Sequence, residues 1–356
     1  MNAQENFNYI VEQFADLQLL RYQVTGFEDL TLRQKELVYY LSQAALEGRD
    51  ILFDQNGKYN LQIRKLLEAV YVSYSGDRQD EEFKALEVYL KRIWFSNGIH
   101  HHYACNKFVP GFSPEFLRRL IDATDVLSLP LKPHESVDEL CTELFPVIFD
   151  PKIMPKRVNQ ADGEDLVLTS AANYYEGVSQ QEAETFYDSQ KTPGESHPVM
   201  YGMNSRLVKK DGKIQEEVWK IDGMYGKAIE KIVFWLEKAE KVAESEVQRE
   251  VVRLLIDFYR TGDLKIFDAY SIAWLKDTDS RVDFVNGFIE SYGDPLGMKA
   301  SWESIVNFKD LEATRRTDII SSCAQWFEDH SPVSASFKKE QVKGVSAKVI
   351  TAAMLG

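Results

Sequence analysis

The residues best suited to chemistry lie in Gly287-Phe-Ile-Glu290-Ser-Tyr292-Gly-Asp294-Pro-Leu-Gly297, followed shortly by Trp302-Glu303. In an extended backbone, Glu290 and Tyr292 stand two apart and share a face. A carboxylate beside a phenol can hold a cationic group and donate a hydrogen bond to an oxyanion as it forms. Asp294-Pro295 and Gly297 then turn the chain. Residue types alone read as a sheet edge closing on a turn, and composition does not reach catalysis.

Other chemistry-bearing residues fit structural roles better. His134-Glu135-Ser136-Val137-Asp138 opens like the zinc-protease pattern HExxH, which works because two histidines four apart face one metal. Here Asp138 takes the place of the second histidine, and Ser136 is placed to cap the following helix. His100-His101-His102, with Cys105 nearby, is the one histidine cluster. In an extended segment His100 and His102 could meet one metal while His101 points away. No carboxylate stands at ligand spacing there, so hydrogen-bonded structural histidines are the better reading. Ser196-His197 reads as loop punctuation. No Walker loop, GxGxxG or GxSxG occurs, which leaves nucleotide cradling and a serine-hydrolase elbow without support. Cys105, Cys141 and Cys323 are far apart and form no CxxC pair, which suits reduced, mostly buried thiols.

The elements that must position these residues follow from periodicity and caps. Phe7, Ile10, Val11 and Phe14 have helical spacing. Thr31 with Gln34 and Ser136 with Glu139 are capping boxes, and Ser113-Pro114-Glu115 opens another helix. Periodic stretches at Leu61–Tyr74 and Phe83–Phe95 complete a helical array over 1–150. Between 151 and 222 glycine, serine and β-branched residues gather. Arg206–Trp219 predicts a hairpin turning at Asp211-Gly212, and Ser179 with Glu182 predicts one short helix. Over 223–305, long helices return with Ile229, Ile232, Val233 and Leu236 on one face, then Val247, Val251, Leu254, Leu255 and Phe258. The charged stretch Glu237–Glu250 reads as a solvated helix face. One further helix is expected to carry Ile319, Ile320, Cys323, Trp326 and Phe327.

Of the 356 residues 44% are hydrophobic and 28% charged, as in ordinary globular chains. With 56 acidic against 42 basic side chains, the formal charge is −14. That sign repels phosphate backbones and anionic lipid, which argues against nucleic acid and membrane partners and suits cationic ligands. No export signal is readable after Met1, and no apolar run approaches the roughly 18 residues of a membrane span. A cytoplasmic protein is expected, although a signal removed ahead of Met1 would leave the same sequence. The chain stops in apolar Ala352-Ala-Met-Leu-Gly356, which suggests truncation, since termini usually face solvent.

The 287–297 segment closely resembles Gly-Phe-Ile-Glu-Ser-Tyr-x-Asp-Pro-x-Gly of the dipeptidyl peptidase III family, metallopeptidase family M49. Trp274-Leu-Lys-Asp277, Lys107-Phe-Val-Pro110 and Tyr175-Glu-Gly-Val178 add to the likeness, which is dense over 267–307 and patchy before it. The resemblance implies the amino-terminal half of a bacterial-type member. Its fold class would be α+β and mostly helical: a lobe of helices around a small β-barrel over 1–305, and the start of a second, zinc-carrying helical lobe over 306–356. It implies hydrolysis of oligopeptides with a free amino terminus, releasing dipeptides. Glu290 would bind the α-amino group, Tyr292 would stabilise the oxyanion, and Glu303 would add acidic lining. The family's zinc motif HExxGH, its later glutamate-rich motif and its asparagine-bearing strand do not occur in these residues. Zinc is thus expected in the complete enzyme and not on this chain, which alone would be inactive. Gly293 stands where some members have arginine. The alternative is a non-catalytic peptide-binding or scaffold protein built on one lobe.

Overall fold

The computed structural model describes residues 7–343 and 348–355. It opens on a hairpin where the spacing of Phe7 to Phe14 predicts a helix. Strands β1 (Ile10–Phe14) and β2 (Leu17–Leu20) pair antiparallel about Ala15, whose φ is +49°. Four apolar residues in eight are too few to separate a period of 3.6 from one of 2. Of the four only Phe14 is buried, so no apolar helix face exists to dock.

The helical array then forms as its caps predict: α1 (Leu32–Glu47), α2 (Arg49–Gln55), α3 (Asn60–Ser73), α4 (Glu81–Ser96), α5 (Pro114–Asp122) and α6 (Val137–Phe149). Both capping boxes are present, and Ser113 Oγ accepts from the Phe116 N–H with Pro114 in the first turn. The hairpin is moored on α4 by Glu12–Lys91 at 2.5 Å and Asp16–Arg92 at 2.8 Å. Phe53, Ile63, Leu67, Leu90, Leu117 and Leu144 join one core that α2 to α6 share.

Next come β3 (Tyr175–Glu176), α7 (Gln180–Asp188), β4 (Ser205–Lys210) and β5 (Lys213–Val218), with strand order β3-β4-β5. The turn between β4 and β5 has positive φ at both Asp211 (+50°) and Gly212 (+74°), as a two-residue hairpin turn requires.

Three helices follow, α8 (Gly226–Lys241), α9 (Glu246–Thr261) and α10 (Leu264–Lys276), and then the long strands β6 (Val282–Glu290) and β7 (Ser301–Lys309). Ile229, Ile232, Val233 and Leu236 are buried as expected. On α9 the buried stripe is Val251, Val252, Leu255, Ile256 and Phe258, with Val247 left exposed. These side chains and those of α1 cover Phe284, Phe288, Trp302, Val306 and Phe308 on one face of the sheet. Gly48, between α1 and α2, is where the Trp302 ring lies: a Cβ there would stand 2.0 Å from Cζ2.

The expected helix over Ile319–Phe327 breaks at Cys323 into α11 (Leu311–Ser322) and α12 (Ala324–His330). The apolar Ile350–Leu355 is strand β8, paired antiparallel with β7 from Ile305 to Lys309. The expected division at 305 therefore falls inside β7. The strands make a hairpin and two open three-stranded sheets, so the small β-barrel is not closed among the described residues. No helix among them is long and apolar enough to cross a membrane.

Candidate functional site

Strand alternation builds the site. In β6 and β7 every second side chain, including Phe284, Asn286 and Phe288 and then Trp302, Ser304 and Val306, enters the core. Glu303 therefore lies on the opposite face, directly across from Gly287. Gly287 has φ +152°, a backbone angle that suits glycine, and so sets no side chain beside Glu303. A bulge between Phe288 and Glu290 shifts the register, and Glu290 pairs with Ser301 at the strand end. Ser301 Oγ donates to the Glu290 carbonyl at 2.9 Å. Burial raises the Glu303 carboxyl above its usual range, and the nearby Glu290 charge raises it further. The two carboxylates share one face, and the Glu290 charge disfavours ionisation of Glu303.

Tyr292 lies just past the strand, in the turn, and does not share a strand face with Glu290 as an extended backbone would require. Its side chain is 72% exposed and has no hydrogen bond among the described residues. Gly293 follows it. A Cβ there would stand 3.3 Å from the Tyr174 hydroxyl, so an arginine would need Tyr174 to give way slightly. The Tyr174 hydroxyl is buried without a hydrogen-bond partner, and burial raises its pKa.

Beneath the turn lie two buried charges that the sequence did not single out as site residues. Asp294, 1% exposed, accepts from the N–H groups of Leu296 (3.3 Å), Met298 (2.8 Å) and Lys299 (2.8 Å), and from the Tyr175 hydroxyl (2.9 Å). Lys299, 0% exposed, donates to the Tyr187 hydroxyl and, at 3.1 Å, to Ser205 Oγ. Burial lowers its pKa to about 7, with the Glu216 and Asp294 charges opposing the fall. Asp294 was legible as a turn residue. Lys299 carries no local signal, because only the fold reveals that a lone lysine is buried.

The histidines take the structural roles expected of them. Burial lowers the His100 pKa to about 4, and its Nε2 is 2.8 Å from the Met154 carbonyl. His101 Nδ1 accepts from the N–H groups of Tyr103 and Ala104, both at 3.1 Å. Ser136 caps α6, and Asp138 pairs with Arg118 at 2.7 Å. Among the described residues no group of three or more His, Cys, Asp or Glu side chains could hold a metal ion. The described side chains do not fit zinc.

Residues 178–346 match the model of Peptidase family M49. Dipeptidyl peptidase 3 of Homo sapiens is 22% identical over 89% of this chain and 47% of its own length. Dipeptidyl peptidase 3 of Rattus norvegicus is 23% identical over the same shares. The chain thus spans about half the length of the curated relatives it matches. The solved structure of DPP III from Caldithrix abyssi shares the fold, with a TM-score of 0.63 at 16% identity over 92% of this chain and 50% of that one. The M49 match covers β6 and β7 together with Glu290, Tyr292 and Glu303, and over these residues the chain is similar to peptidase family M49.

Proposed function

We propose that this chain is the amino-terminal, substrate-binding part of a zinc-dependent dipeptidyl peptidase that releases dipeptides from the amino terminus of oligopeptides. The observation that carries the reading is the pair of carboxylates on one sheet face, Glu290 and Glu303, with the exposed phenol of Tyr292 in the turn that follows β6. Carboxylates that repel each other gain most from a cation placed between them, and the α-ammonium of a peptide is such a cation. In this reading Glu290 holds the ammonium by a charge-assisted hydrogen bond, and Glu303 adds acidic lining. The Tyr292 hydroxyl donates to the oxyanion of the tetrahedral intermediate.

Residues 1–305 form most of the first lobe and 306–356 begin the second. The open sheet β6-β7-β8 is part of a small β-barrel core that further strands complete. Zinc and the general base come from the rest of the enzyme, so residues 1–356 alone are inactive. When bound, the metal would supply Lewis-acid activation of water. The net charge of −14 disfavours nucleic acid and anionic membranes as partners, and three free cysteines suit a reducing cytoplasm.

The test compares the full-length protein with residues 1–356, using metal analysis after dialysis and a fluorogenic dipeptidyl substrate. Chelator-sensitive release of dipeptide is expected from the full-length protein only. A tightly held zinc with activity in 1–356 overturns the division of labour. No release by the full-length protein favours the non-catalytic peptide-binding reading.

A further inference from the structure

The Tyr292 side chain makes no hydrogen bond among the described residues, yet the reaction proposed above needs its hydroxyl at a fixed point. We propose that Asp294 and Lys299 form a buried clamp that positions Tyr292 by fastening its loop to the β3-β4-β5 module. The proposal rests on the reading of Tyr292 as oxyanion donor.

The loop between β6 and β7 runs from 291 to 300. Its first half is a tight turn in which the Asp294 N–H donates to the Ser291 carbonyl at 3.1 Å, across Tyr292 and Gly293. In its second half the Asp294 carboxylate gathers three backbone N–H groups, so 294–299 is tied as one unit. That unit is fastened outward to β3, α7 and β4 of the neighbouring module, and through them to β5. Tyr175 of β3 donates to Asp294, and Lys299 donates to Tyr187 of α7 and Ser205 of β4. Glu216 of β5 accepts from both Tyr187 (2.9 Å) and Ser205 (2.5 Å). The Lys299 ammonium also lies 4.5 Å from the Tyr187 ring centroid and 5.7 Å from that of Tyr175. The Ala300 N–H closes the set on the Met203 carbonyl at 2.9 Å.

A lysine with no exposure is costly, and an apolar side chain of similar length would fill the same space with no charge to desolvate. What the charge adds is a directed set of hydrogen bonds, which fixes where the loop sits relative to the module. Glu290 is held separately by strand pairing, so a slack clamp would move Tyr292 relative to Glu290 without disturbing the ammonium site.

The test is a double-mutant cycle in the full-length protein, with Lys299→Met, Tyr292→Phe and both together, scored on material shown to be folded. Lys299→Met is expected to lower kcat by about 10- to 100-fold, the cost of an ångström-scale misplacement, with KM changed less than about twofold. In the Tyr292→Phe background the same change should alter kcat by less than about twofold, because the group it positions is already gone. An equal loss in both backgrounds, or no loss in the parent, overturns the clamp. A Tyr292→Phe single variant with unchanged kcat instead overturns the oxyanion-donor reading, and the clamp with it. If Lys299→Met fails to fold, Tyr187→Phe replaces it in the cycle, since it removes the lysine's phenol acceptor and keeps the ring.

Discussion

Ser301 Oγ donates to the Glu290 carbonyl at 2.9 Å, across the bulge that ends β6. The backbone of Glu290 is therefore fixed at the strand end while its carboxylate stays exposed on the face it shares with Glu303.

Glu290→Gln keeps the shape and one acceptor and removes the charge. With Ser301 still bonded to the main chain, the fold should survive. The readout is kcat/KM for a free peptide and its N-acetylated twin, in parent and variant full-length protein. Acetylation should harm the parent more, by roughly 1.5–3 kcal/mol, the worth of one charge-assisted hydrogen bond. Equal penalties in both proteins would pass the recognition to Glu303. No penalty in either would count against release from the amino terminus.

Tyr292→Phe removes one hydroxyl from a side chain that is 72% exposed, so thermal stability should hold to within about 0.5 kcal/mol. The expected loss is about 10²–10³ in kcat, typical of a removed oxyanion donor. A fallen Tm with unchanged kcat would make the tyrosine structural.

Gln55 tests how the site is carried. Its Oε1 accepts from the Trp302 N–H at 2.8 Å and its Nε2 donates to the Ala300 carbonyl at 3.2 Å, all of it buried. Gln55→Leu would orphan both backbone groups at the start of β7. At roughly 1–3 kcal/mol per unsatisfied group, a loss of about 2–6 kcal/mol is expected in urea unfolding. A loss under about 1 kcal/mol would mean that water replaces the side chain.

Much of this was legible locally. The caps at Thr31, Ser113, Ser136 and Ser179 marked helix starts because each satisfies donors within three residues of itself. The Asp211-Gly212 turn was equally local. Phe7–Phe14 failed because a hairpin's stability comes from its mooring on α4, some eighty residues later, through Lys91 and Arg92. At the candidate site, Glu290, Tyr292 and Glu303 were named through resemblance, whereas residue types alone stopped at a strand and a turn. The direct partners of the loop, Tyr175, Tyr187, Ser205 and Gln55, lie 94 to 245 residues from the residues they bond, and no spacing rule reaches that far.

Lys299 makes a pH dependence that can be measured on the fold itself. Its folded pKa is about 7 against the ordinary lysine value of 10.5, because burial penalises the ammonium. The groups facing it are Glu216 and Asp294, whose charges favour the ammonium, together with Tyr175, Tyr187 and Ser205. Above the folded value the native state holds fewer protons at this site than the unfolded chain does, so stability rises with pH. It falls again as pH drops toward about 7, below which both states keep the proton and the slope vanishes. The difference in unfolding free energy between the parent and Lys299→Met should therefore grow in the parent's favour from about pH 7 to about pH 9, at no more than about 1.4 kcal/mol per pH unit. Higher pH is avoided because burial raises the phenols of Tyr175 and Tyr187, which gives a slope of opposite sign once unfolded tyrosine ionises near about pH 10. Urea melts across that window decide the matter. A flat difference would mean that Lys299 keeps its proton in the fold, with Glu216 and Asp294 outweighing its burial.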